Sequence, residues 1–144
     1  ELGITLEEAT VDNSAMVVES VQALLTRGVQ AFWTGGDNTI SSAFASYAAV
    51  AGQRGVPVFT SNVEHARNGA AFSYGANYRE VGLLVGTMAA SALRDPRSIA
   101  ATAIADITPA HLAVGNGPFT AFSPEWQAAF KQLREEEQRQ GRTI

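Results

Sequence analysis

The sequence has no cysteine, a single lysine and no long apolar run, and each absence excludes a class of function. Without cysteine, the 144-residue chain has no disulfide, no thiolate metal site and no cysteine nucleophile. No apolar stretch reaches the roughly 18 to 20 residues that cross a bilayer. The net charge is −4, and Lys131 and the scattered arginines form no basic stripe, so we expect no nucleic-acid partner.

Signatures of common enzymes are also absent. The sequence contains no P-loop and no glycine-rich dinucleotide fingerprint after a strand, and it has no nucleophile elbow. His65 and His111 have no metal-ligand spacing with each other or with nearby acids, which is typical of loop or strand histidines. A phosphoacceptor receiver domain needs a lysine at a late strand end, whereas Lys131 lies in the predicted last helix. We therefore expect no enzyme activity, no metal and no cofactor.

The N-terminus lacks the basic and apolar regions of a signal peptide. Its first four residues, E-L-G-I, are typical of a helix end that leads into a strand. We expect the chain to begin within a longer protein, with any targeting signal upstream.

Short β-prone segments alternate with amphipathic helices along most of the chain. Strands are predicted at 4–11, 29–34, 57–60 and 70–74, and helices at 13–27, 39–54 and 77–93. Residues 61–69 are predicted to form a loop. The helix at 77–93 is expected to turn one side inward, and that side consists of Val81, Leu84, Val85, Met88 and Ala92. Later strands are predicted at 100–104 and 111–114, and a last helix starts near Ser123.

This strand–helix rhythm predicts βαβ units and therefore an α/β fold. Right-handed crossovers place the helices on both faces of a parallel sheet, which gives a three-layer α/β/α arrangement.

Three polar segments follow predicted strands, at 35–38, 61–62 and 74–78. Ligands of open parallel sheets bind beyond the carboxyl ends of the strands, so these segments are the candidate site for a small polar ligand. Asp37 either caps the next helix or pairs with a ligand ammonium group, and Asn38 has the same two interpretations. Asn77 and Tyr78 favour capping and packing. Trp33, near a strand end, is either a core residue or a stacking surface.

Several sequence blocks resemble the ABC-transporter substrate-binding proteins of the tryptophan or aromatic-amino-acid-like group. They are GVQAFW at 28–33 with DNTI at 37–40, GVPVFTS at 55–61, and GAAFSYGANYREVG at 69–82. The blocks keep their order and spacing over about half of the chain. The resemblance implies a type I periplasmic-binding fold, in which two α/β lobes joined by crossing strands enclose the ligand.

By this resemblance, the chain is one lobe plus a return segment. Residues 1–75 are the second-lobe βαβαβ core, and residues 76–144 are the hinge-crossing helix and the C-terminal return segment. The resemblance implies that the first lobe is not part of this chain. Its absence would expose a surface on which copies of the fragment would self-associate.

The resemblance also implies a function. The chain is expected to be the solute-binding component of an ABC importer, holding an amino-acid-like small molecule in a cleft between lobes and delivering it to a membrane permease. Its location would be periplasmic or otherwise extracytoplasmic, with or without a lipid anchor. The alternative is a ligand-sensing domain of a transcriptional regulator or signalling protein with the same fold.

Site roles follow by position within the matching blocks. Asp37 and Asn38 would contact polar ligand groups, while the 61–62 and 77–78 pairs would line the cleft and its hinge side. The family has a hydroxyl residue directly before the Asp–Asn pair, where this chain has Gly36 and an earlier Thr34. It also has an aspartate where this chain has Asn77. The candidate ligand-binding residues are Trp33, Thr34, Asp37, Asn38, Ser61, Asn62, Asn77 and Tyr78.

Overall fold

A computed structural model describes residues 3–102, 110–115, 117–118 and 123–139. Helices and strands alternate along the first half of the chain, as the sequence predicts. The elements are α1 (Ala15–Thr26), β1 (Phe32–Thr34), α2 (Asn38–Gln53), β2 (Val58–Thr60), a 3₁₀ helix (Val63–Asn68), β3 (Phe72–Ala76), α3 (Tyr78–Arg94), α4 (Arg97–Ala101), β4 (Ala110–Val114) and α5 (Pro124–Arg139).

The strands form one sheet in the order β1-β2-β3-β4. β1, β2 and β3 are parallel, with Thr34 beside Thr60 and Thr60 beside Ser73. β4 runs antiparallel to β3 and pairs with it from Ala76–Ala110 to Phe72–Val114. The α/β class is confirmed, and the expectation of a purely parallel sheet is corrected to a mixed sheet.

One face of the sheet is covered by α1 and α2. Phe32 and Val58 point to this face and meet a group of buried helix residues, namely Val17, Val21, Leu24, Phe44, Tyr47, Ala48 and Ala51. The Tyr47 ring meets both Phe32 and Phe44 edge-on, at centroid distances of 5.5 Å. Burial of each large apolar side chain stabilises the fold by about 1.5–3 kcal/mol, so the main core lies here.

α5 covers part of the opposite face. Its Phe130 is buried and lies 6.0 Å from the Phe72 ring. Phe72 is in register with Phe59 and Trp33, so these three side chains share this second face. Helices therefore lie on both faces, but the α5 cover stops short of β1, where Trp33 is 75% exposed.

Most helices begin and end close to the residues predicted from local sequence patterns. The helices predicted at 13–27, 39–54 and 77–93 are confirmed within two residues at each end. Gly28 and Gly55 follow α1 and α2 with φ of +81° and +68°, a left-handed conformation that favours glycine after a helix. The 61–69 loop contains the 3₁₀ helix, and its Gly69 has φ +102°.

Several strand predictions are wrong or need new bounds. Residues 4–11 form no strand, and Ile4 and Leu6 are 78% and 75% exposed. A β-prone pattern needs a neighbouring strand to pair its backbone, and none of the described strands pairs with this segment. The predicted strand at 29–34 is shortened to β1. Ala100 and Ala101 belong to α4, while residues 103–104 lie outside the described part. The predicted strand at 111–114 is confirmed as β4.

The prediction that α3 turns an apolar side inward is also wrong for the structure as described. No residue of α3 is buried, and Val85 and Met88 are 55% and 43% exposed. None of the described helices is both long enough and apolar enough to span a membrane.

Candidate functional site

Two loops and strand β3 meet at Ser61, just beyond the ends of β1 and β2. The Ser61 backbone N–H donates to the Thr34 carbonyl oxygen at 3.3 Å. On the same side, a Cβ built on Gly36 would lie 3.7 Å from Ser61 Oγ. From the other side, Gly75 packs directly against the Ser61 carbonyl. We call residues 34–37, 61–62 and 75 the rim.

Gly75 makes this convergence possible. A Cβ at this position would overlap the Ser61 carbonyl oxygen, so any larger residue would push β3 and the β2 end apart. The glycine therefore allows the backbones of two neighbouring strand ends to approach each other closely.

Asp37 is the acidic side chain of the rim, and it caps α2. Its Oδ1 accepts a hydrogen bond from the Ile40 N–H at 3.0 Å, which satisfies one of the unpaired N–H groups in the first turn. The side chain is nevertheless exposed, as is Asn38, the first residue of α2. The two interpretations of Asp37 are compatible, because the cap uses Oδ1 and the residue remains open to solvent.

Thr34 and Asn62 direct their polar atoms into the protein. Thr34 is only 9% exposed, and its hydroxyl donates to the Gly35 carbonyl at 3.4 Å. Asn62 caps the 3₁₀ helix, because its Oδ1 accepts from the Glu64 N–H at 3.1 Å. Its Nδ2 lies 3.3 Å from Nε2 of His65. Both residues therefore use their polar side-chain atoms in hydrogen bonds within the protein.

Asn77 and Tyr78 lie beyond the rim. Thr60 pairs with Ser73, so Ser61 is level with Tyr74 and Asn77 stands three residues further along, or about 10 Å. Asn77 Oδ1 accepts from the Arg79 and Glu80 N–H groups at 3.1 and 3.3 Å. Tyr78 begins α3 and is 68% exposed. The capping interpretation of Asn77 fits this geometry, and the structure does not bring Asn77 to Ser61.

Two exposed aromatic residues flank the rim on the second face of the sheet. Trp33 lies beside Gly35, where a Cβ would be 3.7 Å from the indole ring. Tyr74 is 59% exposed and shares the Trp33 face by strand alternation from Phe72. Tyr74 lies in the predicted 74–78 segment but is not one of the individually named candidate residues. The alternation of Phe72 and Tyr74 around a buried Ser73 was the signal that could have identified it.

A pair of polar side chains ties α3 to the edge strand. His111 Nε2 lies 2.8 Å from Glu80 Oε2, which joins β4 to the first turn of α3. The partly buried carboxylate thus accepts from the imidazole at the place where the chain leaves β3. In the described part of the chain, no three His, Asp or Glu residues are grouped to hold a metal ion.

The rim brings a small set of polar groups together at one edge of the sheet. Its groups are one carboxylate, one serine hydroxyl and the N-terminus of α2, with an exposed indole alongside. Among the described residues, no histidine or carboxylate hydrogen-bonds the Ser61 hydroxyl, so no base is placed to activate it. The arrangement suits a small ligand with charged and apolar parts.

Comparisons with known proteins bear on the family and the fold. The family model for the ABC transporter substrate binding protein matches residues 1–108. The crystal structure of a conserved domain protein from Vibrio cholerae is similar, with 27% identity and a TM-score of 0.67 over 88% of this chain and 43% of that chain. An ABC domain from Streptococcus pneumoniae in complex with L-Trp has 25% identity and a TM-score of 0.56, over 65% of this chain and 31% of that chain.

The chain therefore spans less than half the length of either solved structure. No curated protein matches it at a significant level.

Proposed function

The chain belongs to the ABC transporter substrate-binding protein family, and we propose that its rim binds an amino-acid-like solute for an ABC importer. The observation that carries the proposal is the convergence of Asp37, Ser61 and the start of α2 at one edge of the sheet. The family match supports transport over the ligand-sensing alternative, and it supports a binding protein without catalytic activity.

Each part of an amino-acid-like ligand has a counterpart at the rim. The Asp37 carboxylate would pair with the ligand ammonium group, as a charge-assisted hydrogen bond. The Asn38 and Thr39 N–H groups at the start of α2 favour a carboxylate, and the Ser61 hydroxyl serves as donor or acceptor. An apolar side chain of the ligand would lie along Trp33, which is exposed beside Gly35.

The rim covers only one side of such a ligand, so we propose a second lobe as the opposing wall. Binding would then favour a closed arrangement of the two lobes, and the membrane permease would recognise that arrangement. The exposed apolar side chains of α3, which include Leu83 and Val85, would face this lobe. We place the protein outside the cytoplasmic membrane, as is typical for the family.

The role of Asp37 can be tested without disturbing the cap. D37N keeps a side-chain oxygen for the Ile40 N–H but removes the charge. Calorimetric titration with L-tryptophan, L-phenylalanine and L-leucine should give at least one ligand whose affinity falls about tenfold or more in D37N. E19Q, which neutralises an exposed glutamate within α1, is the matched control. Equal affinities for the wild type and D37N would contradict the proposal.

The one-sided geometry predicts a further result. A longer protein that includes a first lobe should bind the same ligand more tightly than the 144-residue chain, because both walls then contact the ligand. Equal affinities would refute the half-site.

A further inference from the structure

His65 is buried directly behind the rim. It is 3% exposed, although it belongs to a surface 3₁₀ helix. Its ring stacks on Phe44 of α2, with 3.7 Å between centroids and 11° between planes. A buried imidazole needs hydrogen-bond partners for both ring nitrogens, and its partners, Thr60 and Asn62, flank Ser61 of the rim.

The partners determine which nitrogen carries the proton. Asn62 Oδ1 already accepts from the Glu64 N–H, so the Nδ2 group of Asn62 faces His65 Nε2 at 3.3 Å. An amide NH₂ only donates, and Nε2 must therefore be an unprotonated acceptor. The proton of a neutral ring then sits on Nδ1, which donates to Thr60 Oγ1 at 3.0 Å.

Thr60 Oγ1 receives a second hydrogen bond, from the Asn62 backbone N–H at 3.1 Å. His65 and Thr60 together thus hold the backbone and the side chain of Asn62. Ser61 lies between Thr60 and Asn62 in the chain, and its own N–H is bonded to Thr34. The orientation of Ser61 at the rim is consequently set from both sides.

We propose that His65, in its neutral Nδ1–H form, is a positioning residue that fixes Ser61 and Asn62 in the shape that binds ligand. His65 touches no ligand itself. The effect of His65 on ligand affinity rests on the proposed function, whereas its effect on the conformation of residues 60–62 does not.

The surroundings favour the neutral ring. Burial lowers the pKa of His65, and the neighbouring Glu64 carboxylate opposes this only in part. Phe44 faces it from α2 and Thr60 from β2, and neither carries charge. Tyr47, also on α2, packs against Phe44, and burial raises the pKa of its hydroxyl, which keeps that group neutral as well. Protonation of His65 would turn Nε2 into a donor that faces the Asn62 NH₂ group.

The tautomer can be observed directly by ¹⁵N NMR of the imidazole nitrogens in the wild-type protein. The expected spectrum at neutral pH has a protonated Nδ1 and an unprotonated Nε2 for His65, assigned by its loss in H65Q. An Nε2–H tautomer or a doubly protonated ring at pH 7 would overturn the proposal. This measurement requires no ligand.

Two substitutions then separate positioning from packing. H65Q places a carbonyl oxygen near the position of Nε2 and can accept from Asn62, while H65L fills the space without an acceptor. H65L removes both ring hydrogen bonds, so amide hydrogen exchange at Ser61 and Asn62 should accelerate about tenfold or more. H65Q keeps an acceptor for Asn62 and should restore part of the protection. H111Q, at the other histidine of the sequence, should leave this exchange unchanged.

Equal exchange in H65L and the wild type would overturn the positioning role. Ligand affinity distinguishes the two proposals. If the tautomer and the exchange behave as expected but no ligand binds the wild-type protein, the proposed function fails and the positioning of the loop stands.

Discussion

α2 and α3 are two helices of nearly equal length with opposite surroundings. They have 16 and 17 residues, each follows a strand, and each begins with a side-chain cap, from Asp37 and Asn77 respectively. α2 has four buried residues, whereas α3 has none. Capping and length are therefore set by local sequence, while burial is set by the neighbouring elements.

The difference also shows that a helix can carry apolar side chains without packing them against a neighbour. α3 carries Leu83, Val85 and Met88 at exposures of 59%, 55% and 43%, and in the described part of the chain it packs mainly against α4. α2 buries Phe44 and Tyr47 against the sheet. Under the proposed function, the exposed side chains of α3 would pack against a second lobe. Substitutions in α2 should therefore lower the free energy of unfolding more than substitutions in α3.

The largest expected effect is the loss of a core ring from α2. F44A should lower the free energy of unfolding by about 3–5 kcal/mol, since Phe44 is 1% exposed and packs on His65 and Tyr47. V85A on α3 is the matched test and should cost less than about 0.5 kcal/mol. Urea denaturation measures both, and similar losses would mean that α3 is as well packed as α2.

Two glycine-to-alanine substitutions test how closely the backbone is packed at the rim and in α3. G75A should destabilise the protein by about 1–3 kcal/mol, because the new methyl group overlaps the Ser61 carbonyl. G86A on α3 has no atom within 4 Å of the new Cβ, and it should instead favour the helix by about 0.5–1 kcal/mol. Circular dichroism during denaturation distinguishes the two, and a tolerated G75A would contradict the close approach at the rim.

The caps themselves should differ less. D37A removes the bond to the Ile40 N–H and should lower the global free energy of unfolding by about 1 kcal/mol, because α2 belongs to the core. N77A should mainly increase hydrogen exchange in the first turn of α3, since little else depends on that helix. A global loss in N77A equal to that in D37A would show that α3 unfolds together with the core.

The smallest expected effect is a pH dependence of the free energy of unfolding, caused by His65, which packs against α2. The pKa of His65 is lowered in the folded protein by burial, so the unfolded chain binds a proton more readily. The free energy of unfolding should therefore decrease as the pH falls below about 6.5, the unfolded value, with a slope below about 1.4 kcal/mol per pH unit. H65Q should remove this contribution, and an unchanged slope in H65Q would contradict it.

Much of the fold follows from local signals that the sequence displays. Asp37 and Asn77 mark helix starts, Gly28 and Gly55 mark helix ends, and the strand–helix rhythm places the rim at the carboxyl ends of β1 and β2. The segment at 4–11 has the same β-prone pattern as the true strands but no partner strand, and the sequence alone does not reveal that difference.

The convergence of the rim segments was predictable from the sequence, but its detail was not. The segments around Asp37 and Ser61 do converge, because parallel strands end at one edge. The packing of Gly75 on Ser61 and the exposure of Tyr74 depend on strand register, which local patterns do not specify. The inward orientation of Thr34 and Asn62 also follows from tertiary contacts. The ligand roles of all these residues remain predictions.

The most direct test of the account is NMR mapping of a ligand titration on the labelled protein. With a millimolar amino acid such as L-tryptophan, we expect the amide signals of Gly36, Asp37 and Ser61 to shift together, while those of Leu83 and Gly86 on α3 stay in place. Shifts confined to α3, or a spectrum unchanged by every amino acid tested, would contradict the claim that the rim binds the solute.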